Sequence, residues 1–218
     1  MTQDDATMEE RTTSELIETL GEDVDRCFRG MDGSFKRGKK HPDGTIEAKY
    51  EYHARQLIRA IFAFIEAVTF SIKLRATEHY AKNGGKLTDA EGLFVLETEY
   101  FLKDNGEIGE RQAHIRLTDN IRFAFALQEK SLGIKEKFNA NVEWWACLKS
   151  SIKVRDRLMH PKWPEHVDVS PDEIITALTA FNGFKEWVVH YAEVRDQELT
   201  NSSAERLGKK RGESRSKA

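Results

Sequence analysis

Apolar positions along this chain recur mostly at intervals of three and four, the period of an amphipathic helix. A first helix is expected from the capping box Thr12 to Glu15 to about Phe28, with Leu16, Ile17, Leu20, Val24, Cys27 and Phe28 on one face. The stretch that follows, "RGMDGSFKRGKKHPDGT", is rich in glycine and lysine and is expected to be a loop. The longest pattern runs from about Glu47 to Ala81. It sets Tyr50, Leu57, Ile58, Ile61, Ile65, Val68 and Ile72 at near-heptad spacing, with Phe62, Phe64 and Phe70 on a second flank. This helix should be the spine of the fold.

A capping box from Thr88 to Glu91 restarts a helix after "NGG". Asn105 and Gly106 then lie between two runs of strand-like residues, which predicts a short surface hairpin over about 98–116. Thr118 is expected to cap a helix ending at Leu132, and a Trp-rich helix should span about Val142 to Met159. Ser170-Pro171-Asp172-Glu173 opens a last helix, with a capping box and proline at the first position, that should reach about Leu199. The expected fold class is therefore all-α, a bundle of five or six helices with one surface hairpin. Residues 12–199 are expected to form one domain, residues 1–11 a mobile N-terminus, and residues 200–218 a disordered basic tail.

Composition narrows the function. With 218 residues, 39% of them hydrophobic, the chain can bury a core of ordinary size. A formal charge of -3 argues against coating nucleic acid by bulk positive charge, so any such contact must be local. Cys27 and Cys147 both fall within apolar helical patterns, which predicts reduced core thiols and a cytoplasmic protein without a leader. The most apolar stretch, "LIRAIFAFIEAVTFSIKL", carries Arg59, Glu66 and Lys73 and is expected to be a core helix, with no membrane partner.

Several familiar chemistries are not encoded. "NGGKLT" lacks the first glycine of a P-loop, since Tyr80 stands there. The seven histidines include no pair at helical i, i+4 spacing and no neighbouring cysteine pair, so neither a metal nor a cofactor is expected. Lys36, Arg37, Lys39 and Lys40, beside His41, are candidates for contact with a phosphate backbone, as are Lys162 and the lysines and arginines of the tail.

The sharpest signal lies in "IKVRDRLMHPKW". Trp145, Leu148, Ile152, Arg155 and Met159 follow one another at spacings of 3, 4, 3 and 4, so an arginine occupies the apolar stripe of a helix. A guanidinium stays charged, and it requires either a carboxylate from its own fold or a phosphate from outside. Asp156 follows it, and His160 stands where Pro161 ends the helix. Five helical positions separate Arg155 from His160 by about 140°, a gap that an unwound last turn can close. Glu66, on the spine helix, shares a face with Arg59 and Lys73, each one heptad away.

At Arg155, Asp156 and His160 the chain resembles the HEPN superfamily, all-α domains whose signature is an arginine, four to six residues, then a histidine near a helix end. The apolar helix with Glu66 resembles that family's second helix, which often carries a polar residue facing the site. The resemblance implies a metal-independent endoribonuclease of a toxin-antitoxin or phage-defence system, with RNA as substrate and an antitoxin as a further partner. Its alternative is a non-catalytic HEPN-like module binding a nucleotide, RNA or protein. Arg155 and His160 would then be catalytic, Asp156 would orient the site and Glu66 would support it.

Lys162 stands two residues after the histidine, where family members neutralised by nucleotide transfer carry tyrosine. The family's habit of forming its groove between protomers implies a homodimer. Trp144 and Trp145 offer apolar area for that interface.

Overall fold

In the computed structural model, residues 3–36, 48–135 and 137–215 are described, with side chains over 13–34, 50–135 and 137–197. Helix α2, Ala48–Lys82, is the spine. Its Ala54, Leu57, Ile58, Ile61, Phe62, Ile65 and Val68 are all buried, and a stripe that wide needs partners on several sides. Helices α1 (Gln3–Lys36), α4 (Leu117–Leu132), α5 (Glu143–Met159) and α6 (Pro171–Arg215) supply them. Short helix α3, Asp89–Leu96, covers a smaller cluster of Ala76, Val95 and Leu127. Strands β1 (Thr98–Leu102) and β2 (Ile108–Gln112) pair antiparallel, with Thr98 opposite Gln112 and Leu102 opposite Ile108. Gly106, at φ 83°, makes the turn. A 3₁₀ turn, Pro164–Val167, links α5 to α6. The protein is thus an all-α bundle, with six helices and one two-stranded hairpin among the described residues, as the periodicity predicts, and none of the described helices is long and apolar enough to cross a membrane.

Helix α1 departs from expectation. It runs on to Lys36, so Thr12 lies inside it, and "RGMDGSFK" is helix where a loop was expected. Gly30 does not break the helix. His53 of α2 lies so close above it that a Cβ would have no room, so the glycine permits close approach of the two helices. Met31, next to Gly30 and about two turns on from Val24, continues the buried face that Val24 begins, whereas Leu16 and Phe28 turn outward. Residues 37–47 lie outside the described residues, and with them the candidates Arg37, Lys39, Lys40 and His41. At the other end α6 continues past Leu199 to Arg215, through a segment that contains no proline to stop it.

Trp144 and Trp145 are both buried in the chain's own core, which removes them as anchors for a second protomer. Phe138 packs against both, with ring centroids 5.6 and 5.2 Å away, and Gly183 of α6 leaves Trp144 the space that a Cβ would fill. Their indole N–H groups have no partner among the described residues. Nearby, the buried Glu129 carboxylate accepts the Tyr191 hydroxyl and the Phe138 N–H, both at 2.6 Å. This pins the connection into α5.

Caps behave largely as local chemistry dictates. Thr88 and Glu91 form the expected box on α3, and Ser170 and Glu173 bond reciprocally at the start of α6. Helix α4 instead begins after Arg116, without a side-chain cap from Thr118. Glu91 also accepts Lys130 Nζ at 2.7 Å. That bond first, and the Thr88 N–H next, hold the Glu91 carboxyl at about 2. Between its ordinary value of 4.5 and about 2 the unfolded chain binds a proton that folded Glu91 refuses, so stability must fall as pH drops through that window. In urea titrations the wild-type advantage over Glu91→Gln is expected to be full at pH 6 and to vanish near pH 2. An advantage that does not change with pH would disprove this origin.

Candidate functional site

One face of α2 carries three charged side chains at heptad spacing; the first two reach α5, and the third reaches the end of α3 and the start of α4. Arg59 donates to the Leu158 carbonyl at the end of α5, at 3.0 Å. Glu66 accepts from Arg155 Nη1. Lys73, fully buried, donates to Glu97 Oε1 at 2.7 Å, Asn120 Oδ1 at 2.9 Å and the Phe94 carbonyl at 3.2 Å. The face that links Arg59, Glu66 and Lys73 in the sequence is therefore a polar seam through the bundle.

Arg155 is not buried as the stripe predicts. In the last turns of α5 the buried positions are Ser151, Val154 and Leu158. Steps of three lag a full turn by about 60° each, so the buried face rotates away and leaves Arg155 at its edge and Met159 exposed. The Arg155 side chain is 24% exposed, its guanidinium 5.3 Å above the Phe62 ring. Nε and Nη2 both donate to Asp156 Oδ1, at 3.1 and 3.0 Å. Its two carboxylate partners are largely in water, Glu66 at 52% and Asp156 at 56% exposed. Such contacts are weak, and a phosphate offering a bidentate match can compete for the same fork.

His160 ends α5. Its N–H still bonds to the Asp156 carbonyl at 3.1 Å, but its backbone (φ -129°, ψ 59°) has left the helix and its imidazole is exposed. Within one chain Arg155 bonds to Glu66 and Asp156 and not to His160. The turn after it is held firmly. Arg157 makes two 2.9 Å bonds to Glu173 and another to the Asp168 carbonyl, and Arg55 reaches the Val167 carbonyl at 3.4 Å. Lys162 is exposed there, its N–H donating to His166 Nδ1 at 3.1 Å. Lys36 closes α1, and its side chain lies outside the described residues.

Arg155 and Glu66 line a cavity of about 420 Å³ that the sequence did not reveal. Glu97, Asn120, Phe70 and the chain leaving β2, from Gln112 to Ile115 with His114, also line it. The end of β2 and the chain after it are thus part of its lining. Glu97 caps α3 in the left-handed region, φ 52°, a conformation that costs a side chain about 1 kcal/mol or more. What holds it there is the network, since Lys73 and Asn120 Nδ2 both end on its Oε1. Burial pushes the Glu97 carboxyl up, but the bonds from Lys73 and Asn120, the Lys73 charge and Gln112 together bring it below its ordinary value. Burial lowers the Lys73 ammonium, and Glu97 partly offsets this. The detectable trace of this pair was Lys73 itself, a lysine on the apolar spine. Its partner lies 24 residues on and has no local mark.

No family profile, no curated protein and no solved structure matches this chain. The fold therefore stands on its own description, an all-α bundle with a polar seam along its central helix.

Proposed function

We propose that the chain is a cytoplasmic, metal-independent endoribonuclease of HEPN type, acting in a toxin-antitoxin or phage-defence setting with an antitoxin as partner. The observation that carries this reading is a partly exposed guanidinium lining a cavity, Arg155, five residues before an exposed imidazole, His160, at the helix end. RNA supplies its own nucleophile. The 2′-oxygen attacks phosphorus and gives its proton to a base, the P–O5′ bond breaks, and an acid protonates the leaving 5′-oxygen. Arg155 stabilises the charge on the phosphorane, displacing Glu66 as it does so, while Asp156 keeps the guanidinium plane in place.

One imidazole cannot act as acid and base in the same step, so the groove is completed by the partner's His160 in a twofold dimer. Met159 and Trp163, both exposed on either side of His160, are the apolar surface such a dimer would cover. The direct test is incubation of mixed RNA with the protein in chelator, expected to leave 2′,3′-cyclic phosphate and 5′-hydroxyl ends. Mixing active protein with excess Arg155→Ala, His160→Ala double variant should then lower activity faster than dilution. Uncut RNA would leave the second reading, a non-catalytic RNA- or nucleotide-binding module. The observation favouring that reading is that Arg155 already has two carboxylate partners in one chain.

A further inference from the structure

The cavity that Arg155 lines is not used by the cleavage chemistry, yet it is walled by groups suited to a flat, polar ligand. Its volume, about 420 Å³, falls in the range of small-molecule sites. Phe70 lines it and is 38% exposed, so its ring offers a stacking face. Glu97 also lines the cavity, its side chain 23% exposed, with the bonds from Lys73 and Asn120 both ending on Oε1. The carboxylate is thus partly reachable from the cavity, and its orientation is fixed by the buried Lys73 and Asn120, with Gln112 as a third donor. A fixed carboxylate accepts hydrogen bonds and repels acceptors, so the matching ligand edge is one of adjacent N–H donors.

Among the four RNA bases only guanine presents two such donors side by side, N1–H and the N2 amino group. Adenine and cytosine pair a single amino group with a ring acceptor, and uracil flanks its one N–H with two carbonyls. We infer that this cavity is a guanine-binding pocket, with the base stacked on Phe70, its N1–H and N2 amino group donating to Glu97, and its phosphate at Arg155. The inference rests on the reading that RNA phosphate occupies Arg155, and it makes the enzyme selective for guanosine beside the scissile bond.

Ligands can test this without altering the protein. Calorimetry with the full chain is expected to show GMP binding at least about tenfold more tightly than IMP, which lacks only the N2 amino group, and than AMP, as the loss of one hydrogen bond to a charged acceptor implies. Phe70→Ala, at a half-open position, should weaken GMP about tenfold. Equal affinities for GMP, IMP and AMP, or no saturable GMP binding at millimolar concentration, would overturn the pocket. The two readings fail separately. RNA cleaved without preference for guanosine refutes the pocket and spares the nuclease, whereas selective GMP binding without cleavage supports the pocket and refutes the nuclease.

Discussion

Replacing His160 by alanine is expected to reduce RNA cleavage about 10²- to 10⁴-fold, the contribution of one general acid or base, and to leave thermal stability unchanged. The stability half of this follows from position. The imidazole is exposed beyond the last turn of α5, and the bond that ends the helix comes from the backbone N–H, which alanine keeps. Arg155→Ala should lose cleavage to a similar extent with only a small fall in melting temperature. Both ion pairs are more than half solvated on the carboxylate side, which limits each to about 1 kcal/mol or less, and the contact with Phe62 adds a similar amount. Arg155→Lys keeps charge but not the planar fork, and should recover little activity. Cleavage by His160→Ala within a few-fold of wild type would sink the mechanism. A large stability loss in Arg155→Ala would assign the guanidinium to holding α5 on α2.

The largest stability effect is expected at Glu97. Changing it to glycine relieves a left-handed backbone worth about 1 kcal/mol, but it strips Lys73, which has no exposed surface, of its counter-charge. Removing one member of a buried pair costs about 3–5 kcal/mol, so the loss should dominate and leave the variant about 2–4 kcal/mol less stable. Adding Lys73→Met should recover most of that deficit, because methionine fills the space without a charge to satisfy. Urea unfolding of the single and double variants measures both values. A Glu97→Gly variant as stable as wild type would mean that Lys73 is neutral or finds another acceptor.

The parts of this molecule that were legible in its sequence are those decided by nearby residues. Thr88 with Glu91 and Ser170 with Glu173 form their caps within one turn, Asn105-Gly106 turns its own hairpin, and the α2 stripe announces itself by period alone. Reasons that lie across the fold were not legible. Gly30 reads as a helix breaker until His53 is found above it, and Trp144 and Trp145 read as surplus apolar area until Phe138 and Gly183 are found around them. Arg155 sits between these cases. Its helix follows from pattern, and a place for Glu66 near it came only with the family resemblance, but the turn of the α5 face that leaves it lining a cavity depends on how α5 crosses its neighbours.

The connection that carries His160 is gripped largely through its peptide oxygens. Arg59 holds the Leu158 carbonyl, Arg55 that of Val167, and Arg157 that of Asp168. Every residue brings the same carbonyl whatever its side chain, so the path of this loop is specified by three arginines outside it or at its margin. The exposed side chains of Lys162, Trp163 and Glu165 take no part in those three bonds, whereas the His166 imidazole, which accepts the Lys162 N–H, does help to hold the loop. Anchoring through peptide oxygens thus separates where the backbone after His160 runs from which side chains it displays.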